Sequence, residues 1–565
     1  MGTGRHDGGG GAGMTARLEL VWPGKDKFLL VPKDVDGKPV WVERDHPAAS
    51  EVRLTDVTGS VGEVPNEPFN ANLLFTGDSL DVLRVLTEVP EYRSRYRGKV
   101  KLVYIDPPFN TGQAFEHYDD WMEHSTWLSF MRERLLLIRE LLAPDGSVWV
   151  HLDDAEQHRM RLLMDEVFGP ANFIANVVWQ KAYSPKNSAR HLSVDQDNIT
   201  IFARNAEAWR PEALPRSASM DAAYKNPDGD SRGPWKAGDL LANKPYSLGI
   251  YPITTPSGRE ISGPLPGRYW RVSAERLAEL DADDRIWWGS DGSNVPAVKR
   301  FLSEVRGRVP QTWWPHAEVG HNQTGKVEIQ RLFPGDVPFA TPKPERLLER
   351  VIHIGSKPGD IVLDCFAGSG TTAAVAHKMG RRWVTAEILP STVEQFTQPR
   401  LTKVVNGEDP GGITKSAGWH GGSGFVTVTV GPSMYEDTAY GVVLADWARG
   451  QRFARGVAGQ LGFAWQGDAQ PLCGIRGRMR LAVLDGAVGP EEVRAIVGAL
   501  AEKERVTIVA TSVLPQAEVT LAEISKGSRI RKAPRDLLTS GSLRVRRRTE
   551  PAERHPNAVV GGSTA

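Results

Sequence analysis

Asp360-Ile361-Val362-Leu363-Asp364-Cys365-Phe366-Ala367-Gly368-Ser369-Gly370-Thr371-Thr372 decides the fold class. It reads as a buried strand ending in an acid, a glycine loop, and then a helix over Ala373 to Met379. Gly368 and Gly370 let the backbone approach a ligand closely, and the helix start presents free N–H groups to a negative or polar group. Downstream, Arg381-Arg382-Trp383-Val384-Thr385-Ala386-Glu387 reads as a second strand ending in an acid. In a doubly wound sheet that acid falls where it can bond both hydroxyls of a ribose. The pattern predicts a nucleotide-type pocket in an α/β domain. A dinucleotide-binding oxidoreductase loop is the alternative. It would carry G-x-G-x-x-G, and Ala373 stands where the third glycine belongs, although alanine is tolerated there.

A second stretch bears on chemistry. Tyr104-Ile105-Asp106-Pro107-Pro108-Phe109-Asn110-Thr111 closes the apolar run Val100 to Ile105. An exocyclic base amine shares its lone pair with the ring and attacks poorly. A carboxylate at Asp106 and a carbonyl at Pro107 would each accept one of its N–H bonds and turn the lone pair toward a methyl donor. Pro107 and Pro108 fix the loop and leave its carbonyls free, and Phe109 offers a stacking face. A base reaches such a pocket only outside the duplex. Taken alone, the four residues also read as an ordinary turn after a buried strand.

Together the two stretches resemble the amino-group DNA methyltransferases that use S-adenosyl-L-methionine, in the permuted order where the catalytic motif precedes the cofactor motif. More narrowly, residues 14 to 425 resemble the modification subunits of type III restriction systems. Further features carrying this likeness are Trp22-Pro23-Gly24-Lys25, His124-Ser125-Thr126-Trp127-Leu128-Ser129-Phe130-Met131 and Val150-His151-Leu152-Asp153-Asp154. The resemblance implies a Rossmann-like class I methyltransferase fold, α/β and circularly permuted, with an inserted target-recognition domain and a C-terminal α/β accessory domain. It implies catalysis by Asp106, Pro107, Pro108 and Phe109, the last replacing the commoner tyrosine. Cofactor contacts are expected from Asp78, Thr341, Lys343, Asp364, Phe366, Ala367, Gly368, Ser369, Gly370, Thr371 and Glu387, with Lys343 meeting the methionine carboxylate. Adenine N6 is the expected acceptor, since Asp-Pro-Pro is commoner there than in the cytosine-N4 relatives. Double-stranded DNA, a restriction or helicase subunit on another polypeptide and a second copy of the chain are the implied partners. A DNA-binding specificity subunit without turnover is the reading from a different class.

The expected layout is an N-terminal leader over 1–45, a catalytic part over 46–205, a target-recognition insert over 206–318, a cofactor part over 319–424, and an accessory domain with a basic tail over 425–565. Strands are predicted at Leu102 to Ile105, Ser147 to Leu152 and Ile199 to Phe202, with helices at Trp127 to Leu142 and Glu156 to Val167 and a turn at Gly146. The insert is rich in Gly, Pro and Trp. Lys181, Lys186, Arg232, Arg259 and Arg268 are the DNA-contact candidates, the lysines also readable as a solvated face and the arginines as salt-bridge partners. Gly320-His321-Asn322-Gln323-Thr324-Gly325-Lys326-Val327 nearly spells a phosphate loop, but valine replaces the magnesium-binding Ser/Thr, which excludes ATP hydrolysis here.

Composition sets outer limits. With 69 basic and 69 acidic residues the formal net charge is zero, so DNA contacts must come from local patches. Arg93, Arg95, Arg97, Lys99 and Lys101 form one such cluster, and Arg544, Arg546, Arg547 and Arg548 another. Two cysteines exclude a disulfide framework and fit a cytoplasmic chain. Cys365 lies in the glycine-loop motif and Cys473 follows leucine, which excludes cytosine-C5 methylation by a thiolate following proline. No Cys/His spacing suits zinc, and no apolar run is long enough to span a membrane.

Overall fold

The computed structural model describes residues 19–30, 40–44, 46–111, 114–115, 118–119, 122–185, 187–305, 307–335, 339–438, 441–467 and 470–537. Lys186 and the arginines at 544 and 546–548 lie outside the described residues. Two compact units are present, one formed by 1–210 with 311–565 and the other by 211–310.

The larger unit is built on a ten-stranded sheet. Its strands in chain order are β1 (Thr55–Gly62), β2 (Asn72–Thr76), β3 (Val100–Ile105), β4 (Leu142–Leu152), β5 (Phe173–Gln180), β6 (Gln196–Ala203), β7 (Trp313–Trp314), β8 (Ile361–Asp364), β9 (Arg382–Glu387) and β10 (Gly424–Val430). The spatial order is β7-β5-β6-β4-β3-β8-β9-β2-β10-β1. From β4 to β10 all neighbours are parallel, whereas β6 is antiparallel to both β4 and β5, and β1 is antiparallel to β10. The central strands are covered on both faces, which explains why Val100–Ile105 and Ile361–Asp364 read as apolar runs without alternation.

Helices cover the sheet: α1 (Ser79–Glu88), α2 (His124–Leu141), α3 (Gln157–Phe168), α4 (Asn322–Leu332), α5 (Glu345–Gly355), α6 (Thr371–Lys378) and α7 (Gln398–Asn406). Local chemistry sets their starts. Asp78 caps α1 by accepting from the Leu80 amide at 2.7 Å, and Glu123 caps α2 by accepting from the Ser125 amide at 2.8 Å. The core joins Leu73, Phe75, Val103, Ile105, Trp127, Met131, Leu135 and Leu363 in one cluster.

Three features depart from the sequence reading. Gly146 lies inside β4 rather than at a turn, where the pairing with β3 is irregular. A Cβ there would come within 2.7 Å of the Val100 carbonyl oxygen, so the glycine permits close strand approach. β5 was not foreseen, because its residues, apolar at all but Asn176 and Gln180, run on without the apolar–polar alternation that marks a half-buried strand. Gly424–Val430 enters the central sheet between β2 and β1 instead of opening a new module.

Beyond it lies a five-stranded sheet, β11 (Ala464–Trp465), β12 (Gly474–Arg476), β13 (Met479–Val488), β14 (Arg505–Val513) and β15 (Arg529–Lys532), in that order. Helix α8 (Gln451–Leu461) shares one core cluster with it, and α9 (Pro490–Gly498) and α10 (Pro515–Ile524) share another. It is joined to the larger sheet by Arg455, which bonds Asp56 at 2.9 Å and the Thr55 carbonyl at 2.6 Å, and by Glu51, which accepts the Met434 amide at 2.8 Å. In the 211–310 unit, Trp235–Asp239, Ile286–Trp287 and Ala297–Phe301 form an antiparallel sheet over Leu240, Trp270 and Leu277. No helix among the described residues is long and apolar enough to cross a membrane.

A buried ionic cluster ties α5, α6 and α7 together. Glu345 receives Lys378 at 2.8 Å and Arg400 at 2.8 Å, and Lys378 also meets Asp409 at 2.6 Å. Lys378→Met leaves two buried carboxylates short of their cation and is expected to cost about 3–5 kcal/mol, read from the shift in denaturant midpoint. Helix α4 packs by a different device: a Cβ on Gly325 would lie 2.3 Å from the Pro342 carbonyl oxygen. Gly-to-Ala in an open helix stabilises by about 1 kcal/mol. Gly325→Ala is expected to do the opposite, lowering the melting temperature through about 1–3 kcal/mol of overpacking.

Candidate active site

Strand order reverses between β3 and β8. From β3 the chain moves through α2 to β4 on one side, and from β8 through α6 to β9 on the other. In an open parallel sheet this leaves a crevice beyond the two carboxyl ends. The Asp106 loop follows β3 and the glycine loop follows β8, so the two diagnostic stretches, far apart in sequence, emerge side by side.

On the β3 side, Asp106 has two different oxygens. Oδ2 pairs with Lys343 Nζ, whereas Oδ1 is buried and has no hydrogen-bond partner among the described residues. Trp127 Nε1 donates to the Pro108 carbonyl at 2.9 Å, fixing the second proline on α2. No described residue donates to the Pro107 carbonyl. Asn110 takes a left-handed φ of 61°, a conformation asparagine tolerates better than most residues. Its amide donates to Glu156 Oε1 at 2.6 Å and its carbonyl accepts the Met122 amide at 2.6 Å. Glu156 is fully buried and also meets His124 at 2.6 Å and Arg159 at 3.2 Å.

Phe109 rests on His151, with ring centroids 5.9 Å apart and planes inclined by 31°. His151 is itself held at both nitrogens, by the Tyr104 hydroxyl at 2.7 Å and by Asp197 at 3.2 Å. Lys181 closes the chain by pairing with Asp197 at 2.6 Å. Burial alone would raise the Asp197 carboxyl, but its bond to His151 and the Lys181 charge bring it down to about 2. Burial drives the Tyr104 hydroxyl well above its ordinary value, keeping it a neutral hydrogen-bonding group. Sequence reasoning assigned no role to Tyr104, His151 or Asp197. The quoted Val150–Asp154 run contained His151, but partners on two other strands emerge only once the sheet is assembled.

On the β8 side, Gly368 and Gly370 both take left-handed φ, 49° and 76°. A Cβ would lie 3.3 Å from Phe339 at the first and 3.1 Å from Thr397 at the second, so the loop has room for backbone only. Glu387, ending β9, accepts the Gly368 amide at 2.9 Å through one oxygen and the Leu389 amide at 3.1 Å through the other. Each oxygen keeps a lone pair for a further donor. Burial raises the Glu387 carboxyl and pushes Asp364 up to about 7, despite the Thr372 hydroxyl and Phe366 amide that bond Asp364. Ser369 and Thr371 share a 3.1 Å bond, and Arg400 donates to the Thr371 hydroxyl at 2.7 Å. Ala367 donates its amide to the Ala386 carbonyl at 2.9 Å, and Phe366 faces Phe130 at 6.1 Å. Asp78 is bound by both oxygens to Arg134, at 2.9 and 3.0 Å. Thr341 is exposed.

The near-phosphate loop is a helix start. His321 caps α4, accepting the Thr324 amide at 3.1 Å, and Gly325 serves the close contact to Pro342. Beside it, Tyr183, His316 and His321 stack with centroids 5.2 to 5.9 Å apart. This stack stands at the carboxyl end of β5, the edge that carries Asp106, and Tyr183 is 64% exposed. It was missed because its rings come from separate segments.

Among the basic candidates, Arg232 is bound to Asp230 at 2.8 Å and lies over Phe301, an internal role. Arg259 donates to the Ser293 carbonyl at 3.1 Å. Arg268 is exposed, and no described residue pairs with its guanidinium. Arg95, Arg97 and Lys101 pair with Glu67, Glu140 and Asp145 at the amino end of β3, the edge opposite Asp106.

Comparison with known proteins gives the chain its relatives. A family model described as DNA methylase matches residues 100–398, which contain both loops. The StyLTI Mod subunit of a type III restriction-modification enzyme from Salmonella typhimurium is 34% identical over 334 residues, covering 54% of this chain and 49% of that one. The probable HindVI Mod subunit of Haemophilus influenzae is 31% identical over 428 residues, covering 66% and 55%. The chain thus spans about half the length of these curated relatives. Among solved structures, the cytosine-N4-specific PvuII DNA methyltransferase aligns with 62% of this chain and 90% of its own at a TM-score of 0.33 and 15% identity. The family match spans more than half of the chain, from the first residue of β3 to the first of α7, and on that ground the protein belongs to the DNA methylase family.

Proposed function

We propose that this chain transfers the methyl group of S-adenosyl-L-methionine to the N6 amine of an adenine flipped out of double-stranded DNA, as the modification component of a restriction-modification system. The observation that carries the reading is the buried, unpartnered Oδ1 of Asp106, beside Pro107-Pro108 in the loop that follows β3, the strand paired with the one that leads into the glycine loop. A buried acceptor without a donor is costly unless a ligand supplies one.

An amine brought to Asp106 gives one N–H to Oδ1 and the other to the Pro107 carbonyl. Both acceptors draw density toward nitrogen and set its lone pair away from the ring plane, toward the β8 side. Phe109, fixed from behind by His151, stacks on the base and returns part of the unstacking cost. The new N–CH3 bond would form as the S–CH3 bond breaks with its electron pair left on sulfur, and the N–H proton the amine gives up would pass to Asp106, the group in contact with it. The glycine loop suits the cofactor: its left-handed glycines leave a backbone cradle, and Glu387 keeps lone pairs for the ribose hydroxyls. Phe366 and the amides opening α6 complete that surface. When bound, the sulfonium supplies the activated methyl, and alignment is the protein's task.

The wider reading follows the names of the relatives, two of them type III Mod subunits. It assigns target recognition to the 211–310 unit with Arg268 as its DNA candidate, assigns Lys181 and the Tyr183 stack to the DNA strand near the pocket, and gives restriction to a separate polypeptide. Homodimerisation and the permuted chain order belong to the same reading.

Transfer of labelled methyl to mixed genomic DNA, followed by nucleoside analysis, tests the proposal. Label is expected in N6-methyladenine and should fall at least about 100-fold in Asp106→Ala with cofactor-analogue binding retained. Label in N4-methylcytosine would change the base, and no label on any DNA would overturn the enzyme reading. Phe109→Ala removes the stacking face, worth about 1–3 kcal/mol per base, and should lower kcat/KM about 10- to 100-fold, whereas Phe109→Tyr should keep most of it.

A further inference from the structure

Lys343 stands where the target base must go. Its ammonium pairs with Asp106 Oδ2 and lies 5.2 Å from the centroid of the Phe109 ring. Stacked aromatic rings sit with centroids about 4.5–7 Å apart. A base resting on Phe109 with its amine at Asp106 therefore claims the volume the ammonium fills. The same ammonium has a route to the other half of the site. Thr341-Pro342-Lys343-Pro344 follows Phe339, whose ring abuts Gly368 in the glycine loop, and precedes Glu345, which reaches Thr371 through Arg400. Prolines on both sides fix the backbone, so the four-carbon lysine stem is the part free to swing. The side chain is only 11% exposed, so its charge needs an anion in either position.

Resting on the reading of the site as a methyltransferase centre, we propose that Lys343 keeps the base position closed until the cofactor's α-carboxylate draws its ammonium away. Cofactor binding then precedes base entry, and Asp106 Oδ2 is released at the moment the amine needs its carboxylate. Exchanging one carboxylate partner for another keeps the lysine paired throughout. Base and carboxylate-bearing cofactor should accordingly favour each other's binding by the same factor, as linkage requires.

The test uses the full-length chain and DNA duplexes carrying 2-aminopurine at the adenine identified by sequencing DNA methylated by the wild type. Two cofactor analogues separate the causes: sinefungin retains the α-carboxylate, and methylthioadenosine lacks it. In the wild type, sinefungin should increase the 2-aminopurine response about 10-fold in apparent affinity, and methylthioadenosine should leave it unchanged. In Lys343→Met the response should appear with no analogue present, with sinefungin affinity weakened severalfold. Lys343→Arg, which keeps a cation, should preserve the dependence on sinefungin. Melting curves without ligand verify that both variants fold.

A wild-type response that ignores sinefungin, or one that methylthioadenosine evokes equally well, overturns the proposal. So does a Lys343→Met protein that still requires sinefungin. Failure of the underlying reading looks different: the wild type then methylates no DNA, and no adenine exists to substitute.

Discussion

The parallel pairing of β3 with β8 is the constraint on which the site depends. Ile361, Val362 and Leu363 pair with Val100, Leu102 and Val103, and the Asp106 loop and the glycine loop each follow directly from that ladder. Because both strands are buried on both faces, sliding the register would move apolar residues out of the core along the whole pair. The distance between the Asp106 and glycine loops is thereby set by backbone hydrogen bonds, leaving the side chains to tune orientation.

Around that centre the electrostatics are unusually one-sided. Asp106, Asp364 and Glu387 crowd the crevice, burial raises the last two, and Lys343 is the cation in direct contact with Asp106. Carboxylates that resist ionising when buried make a fitting surround for a cationic ligand, whose arrival would favour their charged forms. The other cations, Lys378 and Arg400, pair with Glu345, Lys378 also with Asp409, while Arg400 donates to the Thr371 hydroxyl as well.

Much of this was legible in the chain. The glycine loop and the Asp-Pro-Pro stretch are local patterns whose geometry is dictated by φ preferences and by strand burial, and both fell at strand ends. The parts that escaped reading depend on tertiary neighbours. Lys343 could be assigned a partner only by resemblance, since its contact with Asp106 spans 237 residues. His151 gave no sign of standing behind Phe109. Arg232 could be read from the chain as a DNA contact or as a salt-bridge partner, and only the folded unit shows Asp230, two residues away, holding its guanidinium. Gly146 resembled a turn because a preceding Pro-Asp pair is also how turns begin.

One consequence concerns how the chain is made. Among the described residues β1 has a single neighbour in the sheet, β10, and the bond from Thr58 to Thr427 bridges 369 residues. Until β10 has left the ribosome, β1 has no strand to pair with and β2 lacks one of its two neighbours. The nascent chain must carry those unpaired edges through most of its synthesis, the condition under which strands find wrong partners. Long-range closure of this kind is slow. The last strand of the central sheet therefore acts as a clasp, and the supply of active protein in the cell should hinge on whatever shields the open edge until the clasp arrives.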